Sequence, residues 1–123
     1  NNGSIYRPHL VEQGEQMWIQ RVFSDKTVKT IKEDLINVIA DEKGTGHAIY
    51  RDNVILAGKT GTAEIKQSQS DPTGTELGWF TVMTTDSKQP LLITTLVEDV
   101  KDRGGSGYVV EHTKTPLDLY LSK

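Results

Sequence analysis

Apolar and polar positions change period several times along this chain, and each change marks an element. Val28, Ile31, Leu35, Val38 and Ile39 recur at three- and four-residue spacing, with lysines and acids on the opposite face, which predicts an amphipathic helix. Ser24 stands before Asp25 as its cap, and Gly44-Thr45-Gly46 is expected to end it. From Val54, β-branched and apolar residues lead into Leu56-Ala57-Gly58-Lys59-Thr60-Gly61-Thr62-Ala63-Glu64-Ile65-Lys66. Two glycines there destroy any helical period, so the run reads as one strand. Gln67 to Glu76 is polar, holds Pro72 and Gly74, and reads as a hairpin connection longer than the minimum, expected to be mobile. Gly78 to Thr84 is a second strand, Asp86 to Pro90 a turn, and Leu91 to Val97 a third strand, so the three form an antiparallel meander in sequence order. Gly104-Gly105-Ser106-Gly107 punctuates before a final helix over about Tyr108 to Leu121, whose buried stripe is Val110, Thr113, Leu117, Tyr120 and Leu121. Pro116 is expected to kink that helix or to restart it with Thr115 as cap.

Ahead of the first helix, Asn1 to Gly14 is polar and turn-rich, with Asn2-Gly3 a strong turn signal. Ile5, Tyr6, Pro8, Leu10 and Val11 suggest a short extended piece, and Met17 to Phe23 a short strand or an extended arm. Trp18 is expected to pack on the core rather than to serve as a binding platform. His9, beside a proline, reads as structural, and Lys26, Lys29 and Lys32 as a solvated helix face. The glycine-rich turn after the first helix follows no strand and opens no second helix, so it is not a phosphate loop. No repeat, low-complexity tract or second domain is visible. The fold class is α+β, a three-stranded antiparallel meander with flanking helices.

Composition narrows the chemistry. At 123 residues the chain fits one domain able to bury about two thirds of its unfolded surface. A net charge of −3 supplies no basic footprint for nucleic acid. Without cysteine, neither a disulfide framework nor a thiolate metal site can form, and His47 and His112 make no case for a metal. No apolar run approaches a membrane span, and the first residues lack the regions of a signal peptide.

The small-residue centre of the first long strand is its chemical feature. Side chains alternate, so Thr60, Thr62 and Glu64 share one face while Lys59, Ala63 and Ile65 share the other. Backbone groups alternate too. On an edge strand, the N–H and C=O of Thr60, Thr62 and Glu64 would point outward, and those of Lys59, Gly61 and Ala63 into the ladder. A peptide-like guest could add to the outward set, beside an ammonium and two hydroxyls suited to a carboxylate. Glycine at Gly61 fits a place where another backbone comes close.

Lys59-Thr60-Gly61 is the third signature of penicillin-binding proteins and active-site serine β-lactamases. The longer run Gly58-Lys59-Thr60-Gly61-Thr62-Ala63-Glu64, followed by Gly78-Trp79-Phe80, resembles the corresponding strand pair of class B penicillin-binding proteins. Asn1-Asn2-Gly3, Ile5 and Pro8-His9-Leu10 resemble the segment that precedes it there, in the style of the low-affinity, methicillin-resistance type. The resemblance implies the C-terminal part of a penicillin-binding/β-lactamase-like transpeptidase fold spanning residues 1 to 123. It also implies a parent enzyme that acylates a serine with a peptidoglycan stem peptide or a β-lactam. In those terms Lys59 sits near the proton-transfer residues, the Thr60 and Thr62 hydroxyls hold the terminal carboxylate, and the Thr62 N–H is an oxyanion-hole donor. Gly61 lets the substrate strand approach, and Glu64 either lines the groove or is an exposed strand carboxylate. No cofactor is implied.

The signatures that should accompany that strand are missing. None of Ser4, Ser24, Ser68, Ser70, Ser87, Ser106 and Ser122 has Lys three residues on or Asn two residues on. The nucleophile and its base are expected in an N-terminal part of the same domain, the export signal and anchor in another segment, and the parent at the extracytoplasmic face of a bacterial membrane. The chain alone is expected to be inactive. With no earlier strand beside it, the edge at Leu91 to Val97 is expected to invite self-association. Two alternatives remain: a serine β-lactamase or β-lactam-sensor fragment, and a non-catalytic peptide-binding or scaffold module.

Overall fold

The structure is a computed structural model that describes residues 2–11, 14–66, 68–71 and 73–122. Asn1, Gln67 and Pro72, on which parts of the expected turn and hairpin connection fall, lie outside them. The chain divides into two compact units, Asn1–Asp34 and Leu35–Lys123.

The first unit is a small ribbon. β1 (Ile5–Tyr6) pairs antiparallel with β2 (Met17–Ile19), with an irregularity between Ile5 and Tyr6. The expected arm from Met17 to Phe23 is a strand for its first three residues only. The turn expected at Asn2-Gly3 is present, and both residues take positive φ, 48° and 76°. The turn is fixed by Val22 N–H donating to the Gly3 carbonyl at 2.8 Å. Trp18 is not a core residue: it is 56% exposed, and the Arg7 guanidinium lies 5.7 Å from its ring centroid. Only two residue pairs join the strands, Ile5 with Ile19 and Tyr6 with Met17, and all three residues of β2 are exposed.

α1 (Asp25–Ala40) begins as expected, with the Ser24 hydroxyl accepting the Thr27 N–H at 3.2 Å, and Lys26, Lys29 and Lys32 exposed. It stops at Ala40, before the glycines. Gly46 N–H then bonds the Val38 carbonyl at 2.9 Å and the His47 ring Nδ1 lies 3.0 Å from the Ile39 carbonyl, so two end carbonyls of the helix are satisfied by chain folding back. A single 3-10 turn, His47–Ile49, follows.

The second unit is a meander of β3 (Leu56–Ile65), β4 (Thr75–Thr84) and β5 (Leu92–Val97), in the order β3-β4-β5. β4 starts three residues earlier than the sequence suggested, because Ala63, Glu64 and Ile65 need partners and take Leu77, Glu76 and Thr75. α2 (Ser106–Leu121) covers one face of the sheet with Val109, Val110, Thr113 and Leu117. Beneath it lie Phe80, Val82, Leu56 and Val100, which together with Ile39 and Ile49 form the core. The buried Thr113 hydroxyl donates to the Val109 carbonyl at 2.8 Å and meets the Thr95 hydroxyl at 2.9 Å, so its polar atom is satisfied. α2 runs through Pro116 without restarting, and Thr115 is helical rather than a cap. Proline lacks the N–H that would bond the His112 carbonyl, and the position is exposed, where water can take that carbonyl.

Candidate active site

β3 is an edge strand, and one bond beyond it fixes which of its backbone groups are used. Thr85 N–H donates to the Ile55 carbonyl at 3.1 Å, and the register continues without a slip from Leu56↔Thr84 to Ile65↔Thr75. Hydrogen-bonded pairs alternate in an antiparallel ladder, so Ala57, Lys59, Gly61 and Ala63 bond to β4. The N–H and C=O of Gly58, Thr60, Thr62 and Glu64 therefore point away from it. This is the alternation expected from the sequence.

The side chains divide as the period of two requires, but their surroundings differ. Thr60 faces the core, is 7% exposed, and shares a 2.8 Å hydrogen bond with the Thr45 hydroxyl. Its hydroxyl is thus turned inward, and of the two threonines expected to hold a carboxylate only Thr62 is exposed. Thr62 lies beside the start of α2, where a Cβ built on Gly105 would be 3.8 Å from its hydroxyl oxygen. On the opposite face Lys59 is exposed, and its Nζ donates to the Thr60 carbonyl at 2.6 Å. That carbonyl belongs to the outward set, so the ammonium is already folded onto the edge.

Gly61 lies between them on the Lys59 face, opposite Trp79 of β4, itself 40% exposed. A Cβ at Gly61 would meet only the Trp79 Cβ, at an ordinary 3.6 Å. Among the described residues nothing requires glycine here. The crowded glycines within the strands are Gly58, where a Cβ would be 2.9 Å from the Thr81 carbonyl oxygen, and Gly78, where it would be 2.5 Å from Val109 Cγ2. Sequence reasoning missed Thr45, treated only as part of a helix stop, and Trp79, whose place beside Gly61 depends on register. The doublet of glycines around Thr45 was its one visible signal.

Glu64 is exposed and pairs with Lys66 at 2.6 Å, two residues along the same face. The hydrogen bond that the Lys66 ammonium donates to Glu64 raises the Lys66 pKa above the ordinary lysine range. His9 Nδ1 lies 3.3 Å from the Arg7 carbonyl, and His112 Nδ1 2.8 Å from the Tyr108 carbonyl, both local structural contacts. Among the described residues no group of three or more His, Asp or Glu side chains is placed to hold a metal.

Residues 1–116 match the family model described as the penicillin binding protein transpeptidase domain. The chain belongs to the penicillin-binding protein transpeptidase family. It is 38% identical over 117 residues to penicillin-binding protein 3 of Bacillus subtilis (strain 168), covering 93% of this chain and 17% of that protein. The transpeptidase-family chain thus spans about a sixth of the length of that curated relative. Its fold matches the apo transpeptidase domain of penicillin-binding protein 3 from Burkholderia pseudomallei with a TM-score of 0.61 at 18% identity, covering 96% of this chain and 38% of that one. In this family member the Lys-Thr-Gly-Thr run lies at the open rim of the sheet, beside Trp79 and Gly105.

Proposed function

We propose that this chain is the C-terminal portion of a serine-type D,D-transpeptidase domain and supplies the Lys59-Thr60-Gly61-Thr62 wall of its active site. The supporting observation is the outward-facing backbone of Thr60, Thr62 and Glu64 on an edge strand. A stem peptide, or a β-lactam that mimics its end, adds along this edge as a short antiparallel strand. The reaction begins when a serine hydroxyl, carried by polypeptide outside this chain, attacks the penultimate D-alanine carbonyl. Its proton passes to a base, the C–N bond breaks, the terminal D-alanine leaves as the amine, and an acyl-serine remains. An amine of a second stem peptide then takes the acyl group and restores the serine.

The residues here act on charge and position. The Thr62 N–H faces the edge and donates to the developing oxyanion, where losing one donor costs about 3 kcal/mol in the barrier. The Thr62 hydroxyl and the Lys59 ammonium attract the substrate carboxylate, and Lys59 exchanges its bond to the Thr60 carbonyl for one to the guest or the proton-transfer residues. Thr60 works through its backbone, its hydroxyl anchoring β3 to Thr45. Gly61 keeps the Lys59 face bare for the guest. The parent acts at the extracytoplasmic face of the membrane; among the described residues no helix is long and apolar enough to cross one.

A fluorescent penicillin tests the proposal. The 123-residue chain alone is expected to take no covalent label, whereas the parent protein takes one at a serine outside this chain, slowly if the resemblance to the low-affinity type holds. Label on the isolated chain would place a nucleophile within it, and an unlabelled parent would refute the penicillin-binding assignment. Rapid loss of label from the parent would favour a β-lactamase.

A further inference from the structure

The turn between α1 and the sheet does more than end a helix. A Cβ on Gly44 would run into the Val38 carbonyl oxygen, and one on Gly46 would lie 3.2 Å from Ile39 Cγ1 and 3.3 Å from that same oxygen, so the chain passes close against the last turn of α1. Three backbone bonds hold it there. Gly44 N–H donates to the Asp41 carbonyl at 2.8 Å, Gly46 N–H to the Val38 carbonyl at 2.9 Å, and His47 N–H to the Gly44 carbonyl at 3.0 Å. Thr45 is pinned between these bonds, and its hydroxyl shares the 2.8 Å hydrogen bond with Thr60 of β3.

Packing alone does not ask for that bond. At Thr60, 7% exposed, valine would fill the same space and need no partner. What a hydroxyl pair adds is direction, because a hydrogen bond weakens steeply when it is bent or stretched. β3 has β4 on one side only, and its other edge carries the outward backbone of Thr60, Thr62 and Glu64. The Thr62 N–H lies two residues, about 7 Å, further along the strand.

We propose that Thr45 is a positioning residue for the transpeptidase reaction: through the Thr60 hydroxyl it fixes where β3 stands, and so where the Thr62 N–H aims. The role rests on Thr62 being the oxyanion donor of the proposed function. In acylation by penicillin the serine oxygen bonds to the lactam carbonyl carbon, the ring C–N bond opens, and the serine proton ends on that nitrogen. Negative charge on the carbonyl oxygen grows only toward the transition state, so a misdirected donor lowers the limiting rate and leaves penicillin binding alone. A displacement of about 1 Å costs about a hundredfold, and loss of an oxyanion donor about 10²–10³-fold.

The test follows labelling of the parent protein by fluorescent penicillin in time, over a range of concentrations. Thr45→Val is expected to lower the limiting rate by roughly tenfold or more, with the half-saturating concentration little changed. Thr45→Ser keeps the hydroxyl and is expected to restore the rate. Thr45 is exposed, so neither change opens a cavity. The double variant Thr45→Val, Thr60→Val leaves no buried hydroxyl unpaired; it is expected to regain most of the melting temperature lost in Thr45→Val while its limiting rate stays low. If Thr45→Val folds poorly, the double variant carries the test. A bond that serves folding alone gives another pattern: Thr45→Val lowers the fraction of protein that takes label but not the limiting rate, and the double variant labels as the parent does. That pattern overturns the proposal, as does a Thr45→Ser rate as low as that of Thr45→Val. Thr60→Val slowing the reaction far more than Thr45→Val also overturns it, because the Thr60 hydroxyl would then touch the substrate itself. A parent that takes no label refutes the proposed function and this role with it, whereas a labelled parent whose rate ignores Thr45 refutes this role alone.

Discussion

Two glycines on neighbouring strands are expected to respond to alanine in opposite ways. Gly78 faces α2, and a Cβ there would lie 2.5 Å from Val109 Cγ2 and 3.0 and 3.1 Å from the two methyls of Val100. Both valines are fully buried, so neither can step aside without moving a neighbour. Overpacking of this kind costs about 1–3 kcal/mol, and the stiffer unfolded chain returns about 0.4–1 kcal/mol. Gly78→Ala should therefore lose about 1–2 kcal/mol, or roughly 5–10 °C in melting temperature for a chain this long. Gly61→Ala meets one carbon at 3.6 Å, so the unfolded-state gain stands alone and stability should hold or rise by up to about 1 kcal/mol. Urea titration of the isolated chain followed by circular dichroism measures both, with unchanged slope as the check on two-state behaviour. Equal stability of the two variants would refute the packing described at Gly78, and a large loss at Gly61 would show that its glycine is structural.

Thr45→Val leaves the buried Thr60 hydroxyl without its partner and should cost about 1–3 kcal/mol, measured in the same titration. Pro116→Ala gives the His112 carbonyl its missing donor inside a continuous helix and should stabilise the chain by about 1–3 kcal/mol; a lower melting temperature would count against an unbroken α2. Lys66 has its pKa raised by the Glu64 hydrogen bond, so the linked stability is fully present below the ordinary lysine pKa and is lost as pH climbs through the raised value. A magnetic-resonance titration of the Lys66 side chain should fall back toward the ordinary value in Glu64→Gln, and an unchanged midpoint would deny the pairing.

Much of the second unit was legible because the hydrophobic pattern states it. β3, β4 and β5 alternate or run apolar between turn residues, whereas the edge position of β3 is a property of the assembled sheet, whose order β3-β4-β5 puts it at one rim. What stayed hidden depends on partners distant in sequence. Thr60 looked like an exposed hydroxyl beside a cation, and only the fold-back of Gly44-Thr45-Gly46 turns it inward onto Thr45. The early start of β4 is a property of the pair, set by how far β3 extends. α1 ends at Ala40 because the Gly46 N–H and the His47 ring reach back to its last carbonyls, although Asp41, Glu42 and Lys43 oppose a helix only weakly. Trp18 shows the converse: it sits on a two-stranded ribbon whose β2 residues are all exposed, so its size alone was no guide to burial.

The reading of β3 as a strand that receives a guest rests on alternate backbone groups being unused, and amide hydrogen exchange on the 123-residue chain measures that residue by residue. Protection should alternate, with Lys59, Gly61 and Ala63 slow and Thr60, Thr62 and Glu64 fast. Uniformly slow exchange from Lys59 to Glu64 would mean that the outer edge is already paired, leaving no strand for a substrate to join.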